Sequence, residues 1–253
     1  MSIEEVLVER RPLEDLRQGG RLLGTQHLDL EVVDTDYVAG HLRSLLVFSP
    51  DLFGFEYLPG QDLMVELSDG DRTVHRRYTI RRGHPGAGMV ELEIDLHTGC
   101  GVAAQWAAGV EGGSHFRAIG PKGTITIQPE ALSHLFVADD SAMPAAFAML
   151  EALPRDTSAT AVLVTPRGPT SRPGPNSQAK TRLLWMHEAD VPDVIAGWPL
   201  KPGTAAYVNG ERSLVLRTVD LLLDAGLNRY QLAAKAYWRR DQPNAPHGEP
   251  LPN

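Results

Sequence analysis

"HLFVADDSAMPAAFAMLEALPRDTSATAVLVT", residues 134–165, passes from an apolar run through two aspartates into an alanine-rich stretch and back into an apolar run. "HLFVA" has the character of a buried strand, "AMPAAFAMLEAL" that of a helix, and "ATAVLVT" that of a second strand, which together predict a βαβ unit. Downstream, "RLLWM" (182–186) and "AAYVNG" (205–210) read as further strands. "RSLVLRTVDLLLDAG" (212–226) reads as an amphipathic helix ending at Gly226, and "YQLAAKAYW" (230–238) as a last strand. The second half of the chain is therefore expected to be α/β. "TPRGPTSRPGPNSQAK" (165–180) is too rich in Pro, Gly and Ser to continue either element and is expected to be a long mobile loop. The ending "DQPNAPHGEPLPN" (241–253) has the composition of a disordered tail.

Upstream of residue 130 the pattern is different. In "VELEIDLH" (90–97), Val90, Leu92, Ile94 and Leu96 alternate with polar residues, the period of a strand with one buried face. Shorter versions run through "HLRSLLVFS", "DLMVELS", "TVHRRYTI" and "TITIQ", separated by the turn signals "LPGQD", "SDGD" and "RRGHPGAG". Short strands so spaced predict an antiparallel sandwich or barrel, and closure into a barrel leaves no open edge. The expected organisation is an N-terminal extension over 1–24 with helical character, a β-barrel over 25–129, an α/β domain over 130–240 and the tail over 241–253.

The 253 residues carry a formal net charge of -8. That balance argues against a nucleic-acid binder, whose phosphate affinity needs a broad excess of Lys and Arg. No apolar run approaches the ~18 residues that span a bilayer, and "MSIEEVLVER" has neither feature of a signal peptide, so a cytoplasmic location is expected. The single Cys100 forms no internal disulfide and builds no cysteine-based metal site, and the nine histidines lack ligand-like spacing. Any anion site must then be local. "RRYTIRR" (76–82) is the conspicuous candidate, with arginines at 76, 77, 81 and 82.

"RRYTIR" resembles the R-x-Y-T flavin motif of the ferredoxin-reductase superfamily. Further segments, in order, resemble one branch of it, the siderophore-interacting proteins. "HTGCGVAAQWA" (97–107) is similar to the family's H-G-x-x-G-P-A-x-x-W-A, "GPKG" (120–123) to its G-P-R-G, "ADDSAMPA" (138–145) to its G-D-E-T-A-L-P-A, "YVNGE" (207–211) to its W-V-A-G-E, and "AYWRR" (236–240) to its G-Y-W-R-R. The resemblance implies a barrel that holds FAD and an α/β domain that receives NADPH or NADH. It implies reduction of ferric siderophores with release of ferrous iron, and ferredoxin is an alternative donor. A flavin reductase with another acceptor, or a binding protein without turnover, are the competing readings.

Carried over residue by residue, the resemblance places Arg76 on the FAD pyrophosphate, Tyr78 against the isoalloxazine ring and Thr79 near the flavin N5. Gly99, Gly101, Val102 and Ala103 would supply the amides at the start of a short helix, with His97 just before them. Trp106 is expected to be a packing anchor. Arg77 is proline-like in many family members and Arg82 lies outside the motif, so both are expected on solvated strand surface. Asp139, Asp140 and Ser141 would face the nucleotide, and Arg167 and Arg172 would take a 2'-phosphate, favouring NADPH. Asn209, Gly210 and Glu211 would face the nicotinamide crevice, and Lys235, Trp238 and Arg239 the anionic siderophore. Two departures stand out: the leading glycine of the family's G-D-E-T segment is Ala138, and "HLRSLLV" replaces the commoner R-V-T-L pattern.

Overall fold

A computed structural model describes residues 24–96, 101–168 and 172–240. They divide into two compact units that meet between Thr126 and Ile127. The expected N-terminal helix, the tail, His97, Gly99 and Cys100 lie outside the described residues.

The first unit is a closed antiparallel barrel of strands β1 (Gln26–Ala39), β2 (Leu42–Phe48), β3 (Asp62–Asp69), β4 (Arg72–His84), β5 (Met89–Asp95) and β6 (His115–Lys122), in the order β1-β2-β5-β4-β3-β6. The alternation read from the sequence becomes its interior: Leu45, Val47, Leu63, Val65, Ile80, Val90 and Leu92 are all buried in one cluster. Glu93 breaks the alternation by being buried, and it does so beside the equally buried Arg81, 3.5 Å away. One helix, α1 (Val102–Gly109), packs Trp106 and Ala107 against the same core.

Two expectations here are corrected. "TITIQ" is not a strand; the sixth strand is "HFRAIGPK", which ends before Gly123 at φ +97°. The Gly-Pro pair inside it disguises the strand as a turn. Arg77 is not solvated surface, because its Nε lies 2.8 Å from Asp62 Oδ1 in a partly buried ion pair.

The second unit is a five-stranded parallel sheet. Strand β7 (Ser133–Asp139) leads through α2 (Met143–Glu151) to β8 (Ser158–Val164) and β9 (Lys180–Met186). The chain then crosses through the unforeseen short helix α3 (Val191–Ala196) to β10 (Thr204–Glu211), α4 (Arg212–Asp224) and β11 (Leu232–Trp238). The order β11-β10-β7-β8-β9 reverses direction at β7, so the carboxyl ends of β7 and β10 flank a topological switch point, where open α/β sheets take ligands. All residues of α2 from Met143 to Leu150 are buried, which explains why that stretch carries no charge before Glu151.

The expected mobile loop is held in place where it is described. Ser177 Oγ donates to the Leu150 carbonyl at 2.6 Å and the Asn176 amide to Glu151 Oε1 at 3.0 Å, tying 176–177 to the end of α2. Among the described residues no helix is long and apolar enough to cross a membrane, and no cluster of His, Cys, Asp and Glu could hold a metal ion.

Candidate functional site

In the barrel, strand spacing places Arg76 and Tyr78 on the same face of β4, and Thr79, on the other, is buried. Tyr78 stacks on Trp106 with ring centroids 5.9 Å apart, and Trp106 meets Phe116 edge-on at 5.2 Å. This contact brings the helix α1 to the arginine-tyrosine motif. Trp106 is thus a packing anchor, as expected, and it takes one face of the Tyr78 ring.

The Tyr78 hydroxyl is buried and has no hydrogen-bond partner among the described residues. Burial raises its pKa well above the ordinary phenol value, with the nearby Arg76 charge opposing the rise. An isolated buried hydroxyl is costly, and a ligand hydroxyl or phosphate oxygen would satisfy it. The helix α1 begins at Gly101, whose lack of a side chain leaves the first amides, those of Val102 and Ala103 included, without an N-cap side-chain bond. Arg77 pairs with Asp62, Arg81 with Glu93 and Arg82 with Glu91. Arg76 Nη1 donates to the carbonyl of its own strand neighbour His75 at 2.7 Å. Beside the Trp106 stack lies a cavity of about 660 Å³, lined by Leu30, Glu66, Ser68, Trp106, Phe116 and Arg117.

In the α/β unit the structure joins three of the predicted residues, Ser141, Glu211 and Trp238, through one carboxylate. Asp139, at the end of β7, accepts on Oδ1 from the Ser141 amide (3.0 Å), the Ser141 hydroxyl (2.6 Å) and the Ala142 amide (3.1 Å). Its Oδ2 accepts from the Glu211 amide (2.7 Å) and from Trp238 Nε1 (2.8 Å). Burial raises the Asp139 pKa, and these donors oppose the rise. The carboxylate thus serves as a junction for the ends of β7, β10 and β11. Gly210, at φ +139°, is what allows it: a Cβ there would stand 2.6 Å from Asp139 Cγ.

Glu211 caps α4, accepting from the Ser213 amide (2.6 Å), the Ser213 hydroxyl and the Leu214 amide (3.2 Å). Burial would raise its pKa, but these bonds and one from the Arg240 amide outweigh it and hold the carboxyl below its usual value. Asn209 is 3% exposed and its Oδ1 has no partner among the described residues. Lys235 sits opposite it in register on β11 and is half-buried, while Arg239 is exposed.

The loop arginines both contact the chain itself. Arg167 Nη1 pairs with Asp140 Oδ2 at 2.6 Å, and Thr165 Oγ1 donates to the same oxygen. Arg172 is 6% exposed with its guanidinium 4.3 Å over the Phe147 ring. Both cations are therefore engaged by the protein, and Arg172 stands apart from the Asp139 junction's bonds.

Residues 131–241 match the family "Siderophore-interacting protein", and residues 57–125 match the "Siderophore-interacting FAD-binding domain". An uncharacterized protein of Mycobacterium tuberculosis is 31% identical over 230 residues, which cover 82% of this chain and 80% of that one. The ferric vibriobactin reductase ViuB of Vibrio cholerae is 24% identical over 250 residues, covering 83% of this chain and 89% of that one. The crystal structure of a siderophore utilization protein from T. fusca has the same fold, with a TM-score of 0.75 at 22% identity over 89% of this chain and 97% of that one.

Proposed function

The chain belongs to the siderophore-interacting protein family, and from that premise we propose that it is an FAD-dependent oxidoreductase that reduces ferric siderophores, with NAD(P)H as electron donor. The observation that supports it most is the conjunction, inside the matched FAD-binding stretch, of Arg76, the buried Tyr78 hydroxyl with no partner among the described residues, and a start of α1 whose N-cap residue is a glycine. These groups fit a flavin dinucleotide. Arg76 presents a planar fork of donors suited to a diphosphate, the amides of Gly101, Val102 and Ala103 add the positive end of a helix dipole, and Tyr78 offers a hydroxyl and a ring edge. When bound, FAD supplies chemistry that no side chain here can, taking up two electrons and delivering them singly.

The protein's own residues bind, orient and exclude water. Thr79, buried behind the motif, is the proposed polar contact for the flavin ring. Lys235 and Arg239 give local positive charge for an anionic siderophore, and Asn209 offers a buried amide oxygen at the switch point. Asp139 and Glu211 are proposed to shape this end of the sheet rather than to touch a nucleotide, because their oxygens already receive bonds from the chain. A binding protein without turnover is the second reading, favoured by the internal use of Asp139, Arg167 and Trp238.

Anaerobic mixing of the FAD-loaded protein with NADPH or NADH separates the two. The flavin absorbance is expected to bleach with both donors. The preference between them should stay within about tenfold, ~1.4 kcal/mol, since both loop arginines already contact the chain and would have to give up those contacts for a 2'-phosphate. Absence of bleaching by either would remove NAD(P)H as donor and leave the binding reading in front.

A further inference from the structure

Arg43, on β2, is 6% exposed and belongs to neither cluster described above. Its Nη1 donates to the carbonyls of Ala107 (2.7 Å) and Ala108 (2.6 Å), and its Nη2 to the carbonyl of Val110 (2.6 Å) and to Thr35 Oγ1 on β1 (3.0 Å). Its guanidinium also lies 5.5 Å from the centroid of the Tyr37 ring. Three of the four acceptors are carbonyls at the C-terminal end of α1, groups for which a helix offers no amide of its own. A cation there also faces the negative end of the helix dipole.

The helix has few other fixings. It starts without a side-chain cap, carries no basic residue in its last turn, and has small residues except at Val102, Gln105 and Trp106. Trp106 pins one face of it to Tyr78 and Phe116. Eight residues make a rod about 12 Å long, so a tilt allowed at the C-terminal end changes where the amides at the other end point. Lysine could not do the same work, because an ammonium lacks the planar fork that reaches several carbonyls at once.

We propose that Arg43 is a positioning residue for the cofactor: by clamping the C-terminal end of α1 to β1 and β2, it aims the N-terminal amides of α1 at the FAD diphosphate. This rests on the FAD reading of the start of α1. Arg43 itself touches no cofactor. It acts through the orientation of the helix.

The test compares the full-length wild type with Arg43→Met and Arg43→Lys. For each, the apoprotein melting temperature, the FAD dissociation constant well below that temperature, and the visible circular dichroism of the bound flavin are measured. Arg43→Met is expected to raise the dissociation constant by about ten- to a hundredfold, as when a group that orients a ligand-binding group is lost, and to change the flavin dichroism. Arg43→Lys should fall between. A lowered melting temperature with unchanged affinity and dichroism in the folded variants would mean that Arg43 only stabilises the barrel, which overturns the proposal. If Arg43→Met does not fold, Arg43→Lys decides by the same criteria. A wild type that binds no FAD would instead defeat the reading of the site itself, and the proposal with it.

Discussion

Arg76→Ala is expected to weaken FAD binding by about 1.5 to 3 kcal/mol, the range for a hydrogen bond to a charged group, or roughly ten- to 150-fold in the dissociation constant. The size follows from how the neighbouring charges are used. Arg77, Arg81 and Arg82 are each matched to a carboxylate, so none of them is placed to substitute for Arg76 on a diphosphate. The side chain is only partly buried, so its removal should leave the barrel intact. Fluorescence titration of the apoprotein with FAD measures the effect. An unchanged dissociation constant in a folded variant would remove Arg76 from the cofactor site.

Gly210→Ala should be the most damaging single substitution in the α/β unit, with a stability loss of about 2 to 4 kcal/mol. The strain of a side chain at this φ contributes about 1 to 3 kcal/mol, and displacement of the hydrogen-bonded Asp139 carboxylate adds the rest. The new methyl carbon would stand 2.6 Å from Asp139 Cγ and 2.7 and 2.9 Å from its oxygens, so the carboxylate has to give up its bonds to the Glu211 amide or the Trp238 indole. In thermal unfolding followed by tryptophan fluorescence, the expected drop is roughly 4 to 16 °C. A melting temperature within about 2 °C of the wild type would show that the junction does not hold the strand ends together.

What could be read from residue order was the part of the molecule written in local periods. The alternation from Val90 onward appears as β5, with Glu93 as its one exception, and the strand-helix-strand run in 134–165 appears as β7-α2-β8. The barrel motif was also legible, because Arg76, Tyr78 and Thr79 lie together on one strand. The junction was not. Asp139 receives donors from residues 72 and 99 positions away, and its neighbours in sequence only suggested a turn at a helix start. Arg43 was invisible for a related reason: three of its partners are backbone carbonyls, which leave no mark on side-chain identity, and they lie 64 to 67 positions away. The strand β6 was hidden by its Gly120-Pro121 pair, and the burial of Arg172 by its distance in sequence from Phe147.

The most direct test is the visible absorption spectrum of the freshly purified protein, incubated with FAD if colourless, with the cofactor identified after heat release. Flavin bands and released FAD are the predicted result, and would justify assaying ferric siderophores with a ferrous-iron trap. A protein that stays colourless and fails to bind added FAD would contradict the account, because Arg76, the buried Tyr78 hydroxyl and the start of α1 would then have a partner other than a flavin.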